Sequence, residues 1–108
     1  MKLESAIEKR LGTRLSAWSD ERGIKLLYLK LSVPGFRGWP DRLLLWEGRG
    51  VLFVELKRPG ETPRRLQIYV HRMLHSFGFE VQVHDNEDIA MEEITRYVDS
   101  QTGAGEGS

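Results

Sequence analysis

The feature that most constrains this chain is the stretch Arg42-Leu43-Leu44-Leu45-Trp46-Glu47-Gly48-Arg49-Gly50-Val51-Leu52-Phe53-Val54-Glu55-Leu56-Lys57, two short apolar runs joined by a glycine-rich turn. Runs this short and this rich in branched and aromatic side chains form strands, and the Glu47-Gly48-Arg49-Gly50 turn folds the second back on the first. Side chains alternate along a strand, so Val51, Phe53, Glu55 and Lys57 share one face while Leu52, Val54 and Leu56 take the other. A strand that only built a core has no use for Glu55 and Lys57. Pairing across the turn sets Asp41, at the start of the first strand, opposite the Glu55–Lys57 end. Two carboxylates and one ammonium then converge at one edge of a sheet, partly withdrawn from water, where each needs a partner.

The elements around this hairpin follow from period and punctuation. Leu3, Ile7, Leu11, Leu15 and Trp18 recur at helical spacing and predict a helix from Leu3 to about Arg22, with Gly23 as its C′ residue. Ile24 to Val33 reads as a strand closed by Pro34-Gly35, and Phe36 to Pro40 as a loop. With Arg42–Trp46 and Val51–Lys57 this makes an antiparallel meander of three strands. Thr62 as N-cap and Pro63 at the first helical position open the next helix, whose stripe is Leu66, Tyr69 or Val70, Met73 or Leu74, and Phe77. Phe79 to His84 alternates as a strand, and Asp85 or Asn86 caps a last helix through about Val98. Residues 1–99 are therefore expected to form one domain, and 100–108, rich in glycine, a disordered tail.

Composition excludes whole classes of chemistry. The chain of 108 residues holds no cysteine, which rules out disulfides, thiol nucleophiles and cysteine-based zinc or iron–sulfur centres. No apolar run is long enough to cross a bilayer and Met1-Lys2-Leu3-Glu4 is no signal peptide, so the expectation is a cytoplasmic protein without a membrane partner. The formal net charge is zero, yet residues 1–75 carry 15 Lys/Arg against 8 Asp/Glu and residues 76–108 carry 1 against 8. A basic face that meets a polyanion, with an acidic C-terminal helix turned elsewhere, fits this asymmetry, and ordinary solvated surface is the plain alternative.

Asp41 and Glu55 supply the few carboxylate oxygens that Mg²⁺ prefers, with the backbone carbonyl of Leu56 as a further ligand. Such an ion lowers the pKa of a bound water and stabilises charge growing on a phosphodiester. Lys57 would orient the attacking water or offset that charge. A surface salt bridge at a strand end is the plain reading of the same residues.

The segment Gly35-Phe36-Arg37-Gly38-Trp39-Pro40-Asp41-Arg42, the triplet Glu55-Leu56-Lys57, and Gln67 in the following helix resemble the small stand-alone VRR-NUC nucleases of the PD-(D/E)xK superfamily, best represented in bacteriophages. The resemblance covers roughly residues 4–88. It implies an α/β fold of the restriction-endonuclease type, order α-β-β-β-α-β-(α), with a mixed central sheet flanked by helices. It further implies a Mg²⁺- or Mn²⁺-dependent DNA endonuclease without a nucleotide cofactor, a homodimer acting on branched DNA such as four-way (Holliday) junctions or flaps, in the cytoplasm of a host cell or bacterium. Asp41, Glu55 and Lys57 match the family's catalytic positions and Gln67 its helix glutamine. The family also places a glutamate near the metal from the first helix. Glu4 and Glu8 are both candidates, one helical turn apart, and Glu8 is preferred because Glu8-Lys9-Arg10-Leu11 keeps the family's pattern and its distance to Gly23.

Arg37, Arg42, Arg58, Arg64 and Arg65 crowd the segments flanking this site and are candidates for phosphate contacts, which position DNA without reading its sequence. Phe36 and Trp39 either wedge against unstacked bases or cover the core. Trp18 and Trp46 read as core or dimer contact. His71 lies one turn beyond Gln67 and is a candidate to face the site, although His71, His75 and His84 read best as partly exposed polar positions rather than as a metal cluster. A DNA-binding or assembly module that keeps the fold without catalysis is the alternative of a different class, and metal dependence separates the two.

Overall fold

The hairpin is the centre of the molecule. The computed structural model describes residues 3–102, and its elements run α1 (Leu3–Arg22), β1 (Leu26–Lys30), β2 (Arg42–Trp46), β3 (Gly50–Leu56), α2 (Arg65–Ser76), β4 (Glu80–His84) and α3 (Glu87–Gln101). The four strands form one sheet in the order β1-β2-β3-β4. Strands β1, β2 and β3 are the antiparallel meander read from the sequence, with Arg42 opposite Val54 and Trp46 opposite Gly50. The chain then crosses over through α2, and β4 pairs with β3 in parallel, Glu55 beside Val83. The sheet is mixed because a hairpin reverses the chain while a helical crossover does not.

Each face of the sheet is covered by helices, and the alternation along β3 sorts its side chains between them. Leu52, Val54 and Leu56, with Leu44 and Trp46 of β2, pack under α1 and α3 against Leu11, Leu15, Ala90, Ile94 and Val98. Phe53 on the other face packs under α2 against Val70 and Leu74. The larger cluster is the main core, and its apolar burial is the chief force holding α1 and α3 to the sheet. Trp46 lies buried in it and Trp18 packs against its edge, so both tryptophans serve the core. The acidic α3 is also tied to α1 by charge, Arg10 and Arg14 to Glu87, Arg14 to Asp88, and Arg22 to Asp99.

Several boundaries differ from the sequence reading, each for a local reason. Strand β1 is confined to Leu26–Lys30, because Ile24 N–H donates to Ser19 O and is spent on closing α1. Gly50 belongs to β3 rather than to the turn, and β4 begins at Glu80. Helix α2 starts at Arg65 with Arg64 as its cap residue, not with Thr62 and Pro63. Here Gln67 Oε1 accepts the Arg64 N–H at 2.8 Å, and a glutamine three residues into a helix that reaches back in this way fixes the start. Asn86 caps α3 through Ile89 N–H, and the helix runs past Val98 to Gln101, so Ser100 and Gln101, expected in the tail, are helical. Residues 103–108 lie outside the described residues.

Candidate active site

Three elements meet at the end of the hairpin opposite its turn. Leu31 N–H donates to Asp41 O at 2.9 Å and extends the β1–β2 ladder one residue past Arg42. This fixes Asp41 at the sheet edge. The Leu56 N–H donates to Asp41 Oδ1 at 3.1 Å, so the aspartate side chain takes the backbone donor of the neighbouring strand. Glu55 and Lys57 lie on the same face of β3 as Phe53, beneath α2, and Lys57 N–H is anchored on His84 O.

Gln67, in the first turn of α2, joins the charged groups to one another. Its Oε1 accepts from Lys57 Nζ at 2.8 Å, and its Nε2 donates to Glu55 Oε2 at 3.0 Å. Lys57 Nζ stands 3.7 Å from the same Glu55 oxygen. One amide therefore caps a helix, holds an ammonium and orients a carboxylate, which locks α2 to the strand end. Asp41, Glu55, Leu56, Lys57 and Gln67 line a polar cleft of about 380 Å³, with Arg58, Glu61 and Arg64 at its rim.

The electrostatics of the cleft are set first by burial and then by the closeness of its two carboxylates. Burial raises the Asp41 carboxyl from the ordinary carboxylate range to about 7; the Glu55 charge adds to the rise, and the Leu56 N–H opposes it. Among the described residues no three acidic or histidine side chains converge closely enough to enclose an ion by themselves. Two hard carboxylates with crowded negative charge, beside a backbone segment, instead fit a cation that keeps several waters or phosphate oxygens in its shell, as Mg²⁺ does.

The other candidates fall in different places. Arg37 and Arg65 are exposed, and Arg58 and Arg64 stand at the cleft. Arg42 does not join them. Alternation along β2 sends it to the α1 face, where its Nη2 is 2.9 Å from Glu8 Oε1 and its guanidinium lies over the Tyr28 ring, so it is not available as a surface phosphate contact. Glu8 lines a groove on that α1 face rather than the cleft, although its charge also raises the Asp41 carboxyl. The Glu4 side chain lies outside the described residues. Trp39 covers the core, packed 6.2 Å from Phe53, while Phe36 stands edge-on against it and half-exposed.

One histidine differs from the sequence reading, and a second takes the alternative that the reading left open. His84 is buried at the end of β4, and His71 is mostly buried, facing Glu55. The spacing of His71 from Gln67, one turn along α2, is the signal that marks it in the sequence.

A three-layer α/β/α domain with two carboxylates, a lysine and a glutamine gathered at the edge of a mixed sheet has the architecture of the PD-(D/E)xK nucleases. No family model matches the chain. Over 87 residues it is 38% identical to a protein described as "Putative nuclease p44" of Acyrthosiphon pisum secondary endosymbiont phage 1, a match covering 81% of this chain and 87% of the relative. A solved structure described as a VRR_NUC domain superposes with a TM-score of 0.73 at 26% identity, over 87% of this chain and 96% of that one. The chain belongs to the VRR-NUC nucleases.

Proposed function

We propose that the protein is a Mg²⁺- or Mn²⁺-dependent endodeoxyribonuclease that cleaves branched DNA, four-way junctions or flaps, as a homodimer in the cytoplasm of a bacterium or phage-infected host. The observation that carries this reading is the polar cleft in which Asp41, Glu55, Lys57 and Gln67 meet. Asp41, Glu55 and the Leu56 carbonyl would hold the ion, which when bound supplies Lewis-acid stabilisation of the phosphodiester and a more acidic water.

The remaining work falls to the chain's own groups. Lys57, held by Gln67 Oε1 and within 3.7 Å of Glu55, presents an ammonium where negative charge builds on the phosphate oxygens. Arg58 and Arg64 at the rim, with exposed Arg37 and Arg65, hold neighbouring phosphates and set the strand in register without reading bases. Glu8, clamped by Arg42 on the far side of the sheet, acts through its charge on Asp41. A two-fold dimer would present two such clefts to the two-fold related strands of a junction.

Cleavage of labelled four-way junction, flap and linear duplex DNA with Mg²⁺ or Mn²⁺ tests the reading. Wild type is expected to cut branched substrates and to stop in EDTA. Lys57→Ala is expected to lose at least about 10²-fold in rate while still binding DNA. Binding of every substrate without cleavage under either metal would replace the nuclease with a DNA-binding module of the same fold.

A further inference from the structure

Helix α2 presents a second polar side chain to the same carboxylate. His71 Nε2 stands 3.6 Å from Glu55 Oε1, and the two side chains are only 13% and 5% exposed. Both atoms are buried and neither has a hydrogen-bond partner. The other Glu55 oxygen already accepts from Gln67 Nε2. Two buried, unpaired polar atoms that face each other just beyond hydrogen-bond length satisfy one another through a small side-chain shift, whereas leaving both unpaired is costly.

We propose that His71 is a positioning residue for Glu55: its Nε2–H donates to Glu55 Oε1 and, with Gln67 on Oε2, fixes the carboxylate plane toward Asp41. Gln67 and His71 are one turn apart on α2, so a single rigid element grips both oxygens of the glutamate. Each carboxylate oxygen retains a second lone pair for an ion. His71 is not among the side chains that line the cleft, which places it behind Glu55 rather than beside the ion. Outer partners of this kind hold a ligand in its binding geometry before the ion arrives, and losing one typically lowers metal affinity by about 10–100-fold.

This inference rests on the reading of Asp41 and Glu55 as metal-holding groups, and the test separates the two. Mn²⁺ alone, without DNA, is titrated calorimetrically into the full chain as wild type, Glu55→Ala, His71→Leu and His71→Gln, each checked for folding by circular dichroism in EDTA. His71→Leu fills the space without a donor and is expected to weaken Mn²⁺ binding by about 10–100-fold. His71→Gln retains a donor and is expected to recover most of that loss. Wild-type affinity in His71→Leu, or no recovery in His71→Gln, overturns the positioning role while leaving the metal site standing. A nitrogen coupling from imidazole in the Mn²⁺ spin-echo spectrum overturns it in favour of a direct ligand. Failure of wild type to bind Mn²⁺, or binding indifferent to Glu55→Ala, removes the metal reading itself and this inference with it.

Discussion

Asp41 keeps its proton at pH values where an ordinary aspartate has lost it, because burial and the neighbouring Glu55 charge both penalise the ionised form. In the folded protein burial pushes the carboxyl up to about 7, from an ordinary value of 3.8. Across that window the folded state binds more protons than the unfolded one, so stability falls as pH rises. The contribution is complete below about pH 4 and gone above about pH 7. Thermal melts in EDTA should therefore show wild type losing Tm over this range. Asp41→Asn should flatten the profile and raise Tm at pH 8 by about 4–8 °C for each kcal/mol of repulsion relieved; an unchanged slope would mean that Asp41 is not the titrating group. Metal binding must displace the same proton, so the Mn²⁺ affinity of wild type should drop about tenfold per pH unit below 7 and level off above it. Calorimetric titrations between pH 5.5 and 8 check this.

At the scale of elements, α2 is the part that makes a strand end into a site, and its seat on the sheet can be tested. Leu74, 2% exposed, packs with Val70 against Phe53. Leu74→Ala should cost about 2–5 kcal/mol in denaturant unfolding and, by loosening the helix that carries Gln67, should reduce cleavage under conditions where the protein is still folded. The loop before Asp41 leans on the same helix. Gly38 has φ +96°, and a Cβ there would meet the Leu66 carbonyl oxygen at 2.8 Å. Gly38→Ala must therefore push the loop away from the first turn of α2, at about 1–3 kcal/mol, seen as a lower unfolding midpoint. Helix boundaries were the least legible elements in the sequence. Thr62-Pro63 is a good start signal, but the helix starts two residues later because the Gln67 amide is pinned between Lys57 and Glu55, contacts that no local pattern reveals.

Over the whole molecule, the charge asymmetry divides into two uses. Arg10, Arg14 and Arg22 of the basic N-terminal part are matched to the acids of α3, and Arg42 is matched to Glu8. Arg58 and Arg64 stand at the cleft, and Arg37 and Arg65 are exposed, which leaves them placed for the phosphate contacts proposed above. Replacing Arg58 and Arg64 by alanine should weaken DNA binding alike for all sequences and reduce the slope of log K against log salt by about 1 for each. Binding isotherms between 50 and 200 mM salt measure this. Arg42→Ala should instead leave the salt slope unchanged and lower stability, since its partner is inside the protein.

The sequence by itself determined the hairpin and the face that Glu55 and Lys57 share, because a period of two and a short turn are local facts, while the register, with Gly50 opposite Trp46, came from the structure. It also marked Asp41, Glu55, Lys57 and Gln67, through side chains out of place in a core and through family resemblance. The tertiary structure alone decided how those groups are wired: that Gln67 bridges Lys57 and Glu55, that His71 lies behind Glu55, and that Arg42 turns to Glu8 on the far face. These contacts join residues from different elements across the sheet. They depend on how α1 and α2 dock on its two faces, which follows from the summed burial of two separate apolar clusters rather than from any local pattern in the chain.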